Sequence, residues 1–129
     1  MKKLVLLAVL CSVTIMSYSQ DVISLTTKYV YDYYDRHTYT HRVSFVITSE
    51  TLKITEEETK LNISGTYYVV SSSEIYDNEL GQMFQFIVEK RPQYTNPPYK
   101  KYVLSVTKGI ITFNPYGKET VDYLFLFNN

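Results

Sequence analysis

The chain has 129 residues, with 13 Lys and Arg against 13 Asp and Glu, fourteen Tyr, six Phe, no Trp and one Cys. Balanced charge argues against a general nucleic-acid binder, which works through an excess of cations facing phosphates. A lone cysteine rules out an internal disulfide framework.

Met1, Lys2 and Lys3 form a short cationic start, and Leu4 to Leu10 is an apolar run too short to span a bilayer. Ser17 and Ser19 then put small residues at the minus-three and minus-one positions of a signal-peptidase site. The pattern predicts a secretory signal peptide over 1–19, helical and poorly packed on the rest, cleaved after Ser19, followed by one β-rich domain over 20–129. The destination is the periplasm or the medium, with no transmembrane segment left in the mature chain. Cys11 lies inside this leader, and Leu10 before it is too large for lipoprotein processing. Loss of Lys2 and Lys3 leaves acids in excess by two, so nucleic acid is not expected as a partner. A domain of this size without disulfide staples fits a bacterial envelope or secreted protein that relies on its core.

After the leader, apolar residues recur at every second position, the period of half-buried strands. Nine runs are candidates: 22–31, 42–48, 51–55, 59–63, 66–72, 83–90, 99–107, 109–114 and 120–127. No helical period of any length appears. On the first run Tyr29, Tyr31 and Tyr33 alternate, as in a cross-strand aromatic ladder or a ligand-contacting face. Tyr68, Tyr76, Tyr116 and Tyr123 add to the same tyrosine load. The segment Asp32 to His41 holds both histidines with Asp32 and Asp35, residue types that ligate metals. It lacks the His-Glu-x-x-His spacing and sits among Tyr and Thr, so a solvated hairpin loop is expected and no metal.

With nine strands, that loop, the Glu56-Glu57-Glu58 turn and the segment holding Glu74, Asp77 and Glu79 would share one acidic end. No calcium-binding loop pattern is present there. The stretch from Lys90 to Lys101, with Arg91, Tyr94, Tyr99 and Lys100 around its prolines, would emerge at the opposite end. It reads as a wet hairpin loop with a chemistry able to grip anions. Asn114-Pro115-Tyr116-Gly117 is expected to form a type I turn with Asn at its first position. On the last run Val121, Tyr123, Phe125 and Phe127 fill one face and Leu124 and Leu126 the other. A strand apolar on both faces needs cover, by closing against the first strand or by lying in a dimer interface.

Strands spaced by roughly 8 to 12 residues predict an all-β antiparallel meander of about eight to nine strands, a barrel in preference to a sandwich. The meander with terminal closure resembles the small barrels of the lipocalin-like class, although their Gly-x-Trp signature is absent. That resemblance implies architecture and no particular ligand.

No nucleophile elbow, paired base or phosphate-cradling glycine loop is legible, so a non-enzymatic protein without cofactor is expected. Two functional expectations follow. In the first, a small apolar or amphipathic molecule binds in a barrel or cleft lined by Phe45, Ile47, Tyr67, Phe84, Phe86, Tyr102 and Phe113, residues that describe a filled core equally well. In the second, an envelope interaction module, able to form a homodimer, works through a sheet edge or through Lys90, Arg91, Tyr94, Tyr99, Lys100 and Lys101.

Overall fold

A computed structural model describes residues 22–79 and 81–128; the leader read from the sequence lies outside them. Eight antiparallel strands form a closed barrel in chain order: β1 (Ile23–Asp32), β2 (His37–Ile47), β3 (Thr51–Glu56), β4 (Gly65–Asp77), β5 (Gly81–Glu89), β6 (Lys101–Thr107), β7 (Ile110–Pro115) and β8 (Tyr123–Leu126). There is no helix among the described residues. The meander therefore forms as its period-two pattern implies. The last strand closes it against the first, with Tyr29 opposite Leu126 and Asp32 opposite Tyr123.

Inward positions are filled. Ile23, Leu25, Val43, Phe45, Ile47, Leu52, Ile54, Phe84, Val88, Leu104, Ile111 and Phe125 are all buried. A bulge between Thr27 and Tyr29 shifts the alternation on β1, so that Val30 takes the inward place after Thr27. Phe45 meets Phe125 edge-on at 5.5 Å between ring centroids, across the line where the barrel closes.

The run 59–63 is not a strand. Residues 57–64 form a loop in which Leu61 and Ile63 still pack on the core, so their alternation reflects burial without pairing. The backbone N–H groups that a strand would spend on a neighbour go instead to one side chain. Leu61 donates to Glu56 Oε1 at 2.9 Å, Lys60 to the same oxygen at 3.3 Å and Ile63 to Oε2 at 3.0 Å.

Removing that strand from the count reverses the expected ends. The connections 33–36, 57–64, 90–100 and 116–122 share one end, which we term the mouth, whereas 48–50, 108–109 and the turn after Asp77 lie at the other. The Lys90 to Lys101 loop thus stands beside the 33–36 and 57–64 loops, and Asp77 and Glu79 lie opposite them.

Two further expectations are corrected. The hairpin loop around Asp32 to His41 shrinks to 33–36, and His41 is a buried strand residue. The turn near Asn114 is displaced by one residue: Lys118 N–H donates to the Pro115 carbonyl at 3.2 Å and Gly117 has φ 87°. Positive φ at the third position makes this a type II turn, which requires a glycine there.

Strand lengths are unequal, and the inequality shapes the surface. The β3–β4 register ends at Thr51 opposite Tyr68, followed by one bond from Val69 N–H to the Glu50 carbonyl. From Val70 to Tyr76, β4 runs past β3 with only β5 beside it. At the other seam the β7–β8 register covers only Ile110 with Leu126 and Ile111 with Phe125. The segment 116–122 crosses the gap this leaves.

Candidate functional site

The barrel interior holds the seven residues first considered as a ligand lining, and they pack on one another. Phe45, Ile47, Tyr67, Phe84, Phe86 and Phe113 are buried, and Tyr102 packs against them. Tyr67, Tyr102 and Phe113 form a cluster under the mouth, with centroids 5.4 Å apart for Tyr67 and Tyr102 and 5.1 Å for the other two pairs. The Tyr67 hydroxyl donates to the Ile63 carbonyl at 2.7 Å, tying the 57–64 loop to this cluster. Burial pushes the Tyr67 phenol up to about 12, with Tyr102 and Glu56 adding to the shift. Spectrophotometric titration should find one tyrosine resisting ionisation until about that pH. Tyr67→Phe should remove that late step and cost about 1 kcal/mol in urea unfolding, the worth of one hydrogen bond.

A cavity of about 710 Å³ lies on the outer wall, away from the seven residues expected from the sequence to line a ligand site. Its floor is the outward face of three adjacent strands: Met83, Gln85 and Ile87 on β5, Val103, Ser105 and Thr107 on β6, Ile110, Thr112 and Asn114 on β7. Leu124 of β8 continues the floor, and Tyr33, Tyr116, Lys118 and Val121 border it from the mouth loops. The site exists because β7 and β8 part after Ile111: the unpaired stretch leaves a depression that a fully laddered wall would not have.

The floor has a regular chemical pattern set by register. Gln85 is opposite Ser105 and Ser105 opposite Thr112, so these three polar side chains form one cross-strand row. Ile87 and Val103 stand opposite each other in the next row, with Asn114 as the third member. On the other side come Met83 and the pair Thr107 and Ile110. A polar row therefore runs between two rows that are mainly apolar. Gln85 Nε2 donates to Ser105 Oγ at 3.3 Å and approaches Met83 Sδ at 3.7 Å. The ring of Tyr33 meets Tyr31 edge-on at 4.9 Å, which steadies one border. Tyr33 N–H donates to the Asp122 carbonyl and Tyr116 N–H to the Lys101 carbonyl, both at 3.0 Å, anchoring the two loops that carry the exposed tyrosines.

The residues of the proposed interaction loop are spread along the mouth. Lys90 Nζ lies 5.4 Å from the Tyr67 ring centroid and Lys100 Nζ 5.4 Å from that of Tyr102. Arg91 sits 4.4 Å from Tyr68 and 6.0 Å from Tyr99 while its Nε bonds Glu89 at 2.7 Å. Tyr94 is 96 % exposed, and Lys101 opens β6. Most of these cations thus rest on tyrosine faces, an arrangement that steadies the loop as well as charging it.

One titratable pair is fully enclosed. His41 Nε2 and Glu56 Oε1 are 2.9 Å apart, with both side chains shielded from solvent. Burial by itself would raise the Glu56 carboxyl, but the hydrogen bonds from Leu61, His41, Ile63 and Lys60 outweigh it and hold the group below its ordinary value. The pair serves the loop and lies on the inner side of the barrel, away from the outer floor.

Ile87, Val103, Ile110 and Leu124 could have flagged the groove, since they are apolar residues at positions whose neighbours in sequence face the core. Ile87, Val103 and Ile110 repeat on β5 to β7 the two-sided apolarity of the last strand, and that recurrence is the sequence signal of the groove. No family model, no curated protein and no solved structure matches the chain.

Proposed function

We propose that this is an exported, non-enzymatic binding protein whose outer groove, between β5 and β8 and bordered by the 116–122 loop, takes a small amphipathic molecule. The carrying observation is the groove itself, with a volume in the range of small-molecule sites and mixed apolar and neutral polar lining. The interior supports a packing role for Phe45, Ile47, Tyr67, Phe84, Phe86, Tyr102 and Phe113, because their rings and side chains fill the space a ligand would need. Export rests on the leader pattern of Lys2 to Ser19.

The test is a titration of the purified protein with the neutral amphipathic fluorophore Prodan, followed by fluorescence and by amide NMR shifts. Expected are saturable binding, shifts confined to β5 to β8 and 116–122, and roughly five-fold weaker binding for Tyr116→Ala, the loss of one aromatic anchor. Shifts centred on Phe84 and Phe113 would move the site into the barrel, and no binding would refute the reading.

A second reading is favoured by one specific observation, the run of β4 from Val70 to Tyr76 beyond its β3 neighbour, with Val70, Ile75 and Tyr76 exposed. Such an edge can accept another strand, as an envelope interaction module or homodimer would require. In the same NMR experiment this reading expects concentration-dependent shifts along 70–77 in the absence of Prodan.

A further inference from the structure

We infer that the occupant of the outer groove is a neutral glycan, an inference that rests on the groove being the binding site. The polar row carries it. Gln85, Ser105 and Thr112 come from three neighbouring strands, and with a strand spacing of about 4.8 Å they extend hydrogen-bonding groups across about 10 Å of floor. All are amides or hydroxyls, each able to donate and to accept, which is the property that sugar hydroxyls share. Only Gln85 and Ser105 bond each other, and the Thr112 hydroxyl and Asn114 amide have no side-chain partner among the described residues. A purely apolar occupant would strip water from this row and return nothing, at a cost of about 1–3 kcal/mol per group.

Charge narrows the class further. Among the described residues that line the groove, Lys118 is the only lysine, arginine or carboxylate side chain, and its ammonium is paired with Asp122 Oδ2. A fatty acid or phosphate ester would find no free cation, and an amine would find no carboxylate. The tyrosines complete the match. Tyr33 and Tyr116 border the floor with 47 % and 60 % of their surface exposed, presenting flat faces on which the C–H side of a pyranose can stack. The apolar rows beside the polar one suit the same ligand, whose ring has a hydroxyl edge and an apolar face.

The test places four neutral hexasaccharides, cellohexaose, maltohexaose, mannohexaose and chitohexaose, against Prodan in amide NMR and competition experiments. Expected is that at least one glycan shifts the amides of β5 to β8 and displaces Prodan. Gln85→Ala with Thr112→Val should weaken that glycan roughly ten-fold or more, from the loss of two hydrogen bonds, with the amide spectrum of the free variant showing that the barrel is intact. Thr112→Val alone, a minimal outer-face change, serves if the double variant folds poorly. Prodan binding without any glycan binding overturns the inference and leaves the groove reading standing. Glycan shifts confined to the Lys90 to Lys101 loop overturn it too, and failure of every probe removes both.

Discussion

Replacing Glu56 by Ala should cost about 3–5 kcal/mol in urea unfolding, since several enclosed donors lose their acceptor at about 1–3 kcal/mol each, partly relieved by relaxation of the loop. The reason is multiplicity. One carboxylate accepts from His41, Lys60, Leu61 and Ile63, so its loss leaves a buried imidazole and three backbone donors without an acceptor. Amide exchange should show the damage as local: the Leu61 and Ile63 protons should exchange quickly, while those of β6 and β7 keep the protection allowed by the lower global stability.

The same group predicts a pH dependence. Glu56 has its folded-state carboxyl lowered below the ordinary 4.5, so the folded state holds its proton less tightly than the unfolded state does. Its contribution is therefore present in full above about 4.5 and is lost as pH falls below that value through the folded-state pKa. Unfolding free energy should decline on acidification through this window, and Glu56→Gln should make the curve flatter there. An unchanged acid limb in Glu56→Gln would show that another carboxylate governs it.

Phe125→Ala should cost about 3–5 kcal/mol as a large-to-small core change, and its signature should differ from that of Glu56→Ala. Phe125 is 1 % exposed, contacts Phe45, and sits on a four-residue strand that pairs with β1 at Val30 and with β7 at Ile111. The β7–β8 ladder has only two registered pairs, so this ring is a large part of what holds that seam. Exchange should accelerate along both β8 and the facing part of β1. The freed edges should make the variant more prone to associate. Phe125→Leu, which keeps most of the apolar volume, should recover the larger part of the loss.

Alternation at Val43, Phe45 and Ile47, and at Phe84, Phe86 and Val88, marks true inward faces because strand geometry forces that period. Two-sided apolarity on the last run left closure against the first strand or a dimer interface open, and β8 does pair with β1. Alternation at Leu61 and Ile63 has another origin: a loop pinned by a carboxylate can bury every second side chain too. The alternation of Leu52 and Ile54 puts Glu56 next on the inward face, but its role depends on His41, fifteen residues earlier, and on the donors that follow. The groove was harder still. Its residues lie on strands whose positions are legible, but the depression comes from where β7 and β8 stop pairing, and ladder length is decided by the closing geometry.

Seven of the eight strand pairings join neighbours in sequence, and only β1 with β8 joins positions about ninety residues apart. Hairpins form fast and closures of that span are slow, because a long segment of chain must be ordered before the contact repays it. The barrel should accordingly assemble as a curling eight-strand sheet whose last act is the pairing of β1 with Tyr123–Leu126. Until then Val30, Phe45 and the inner face beside them face water along an open slot, the interval in which a folding helper or a misplaced strand would compete for them.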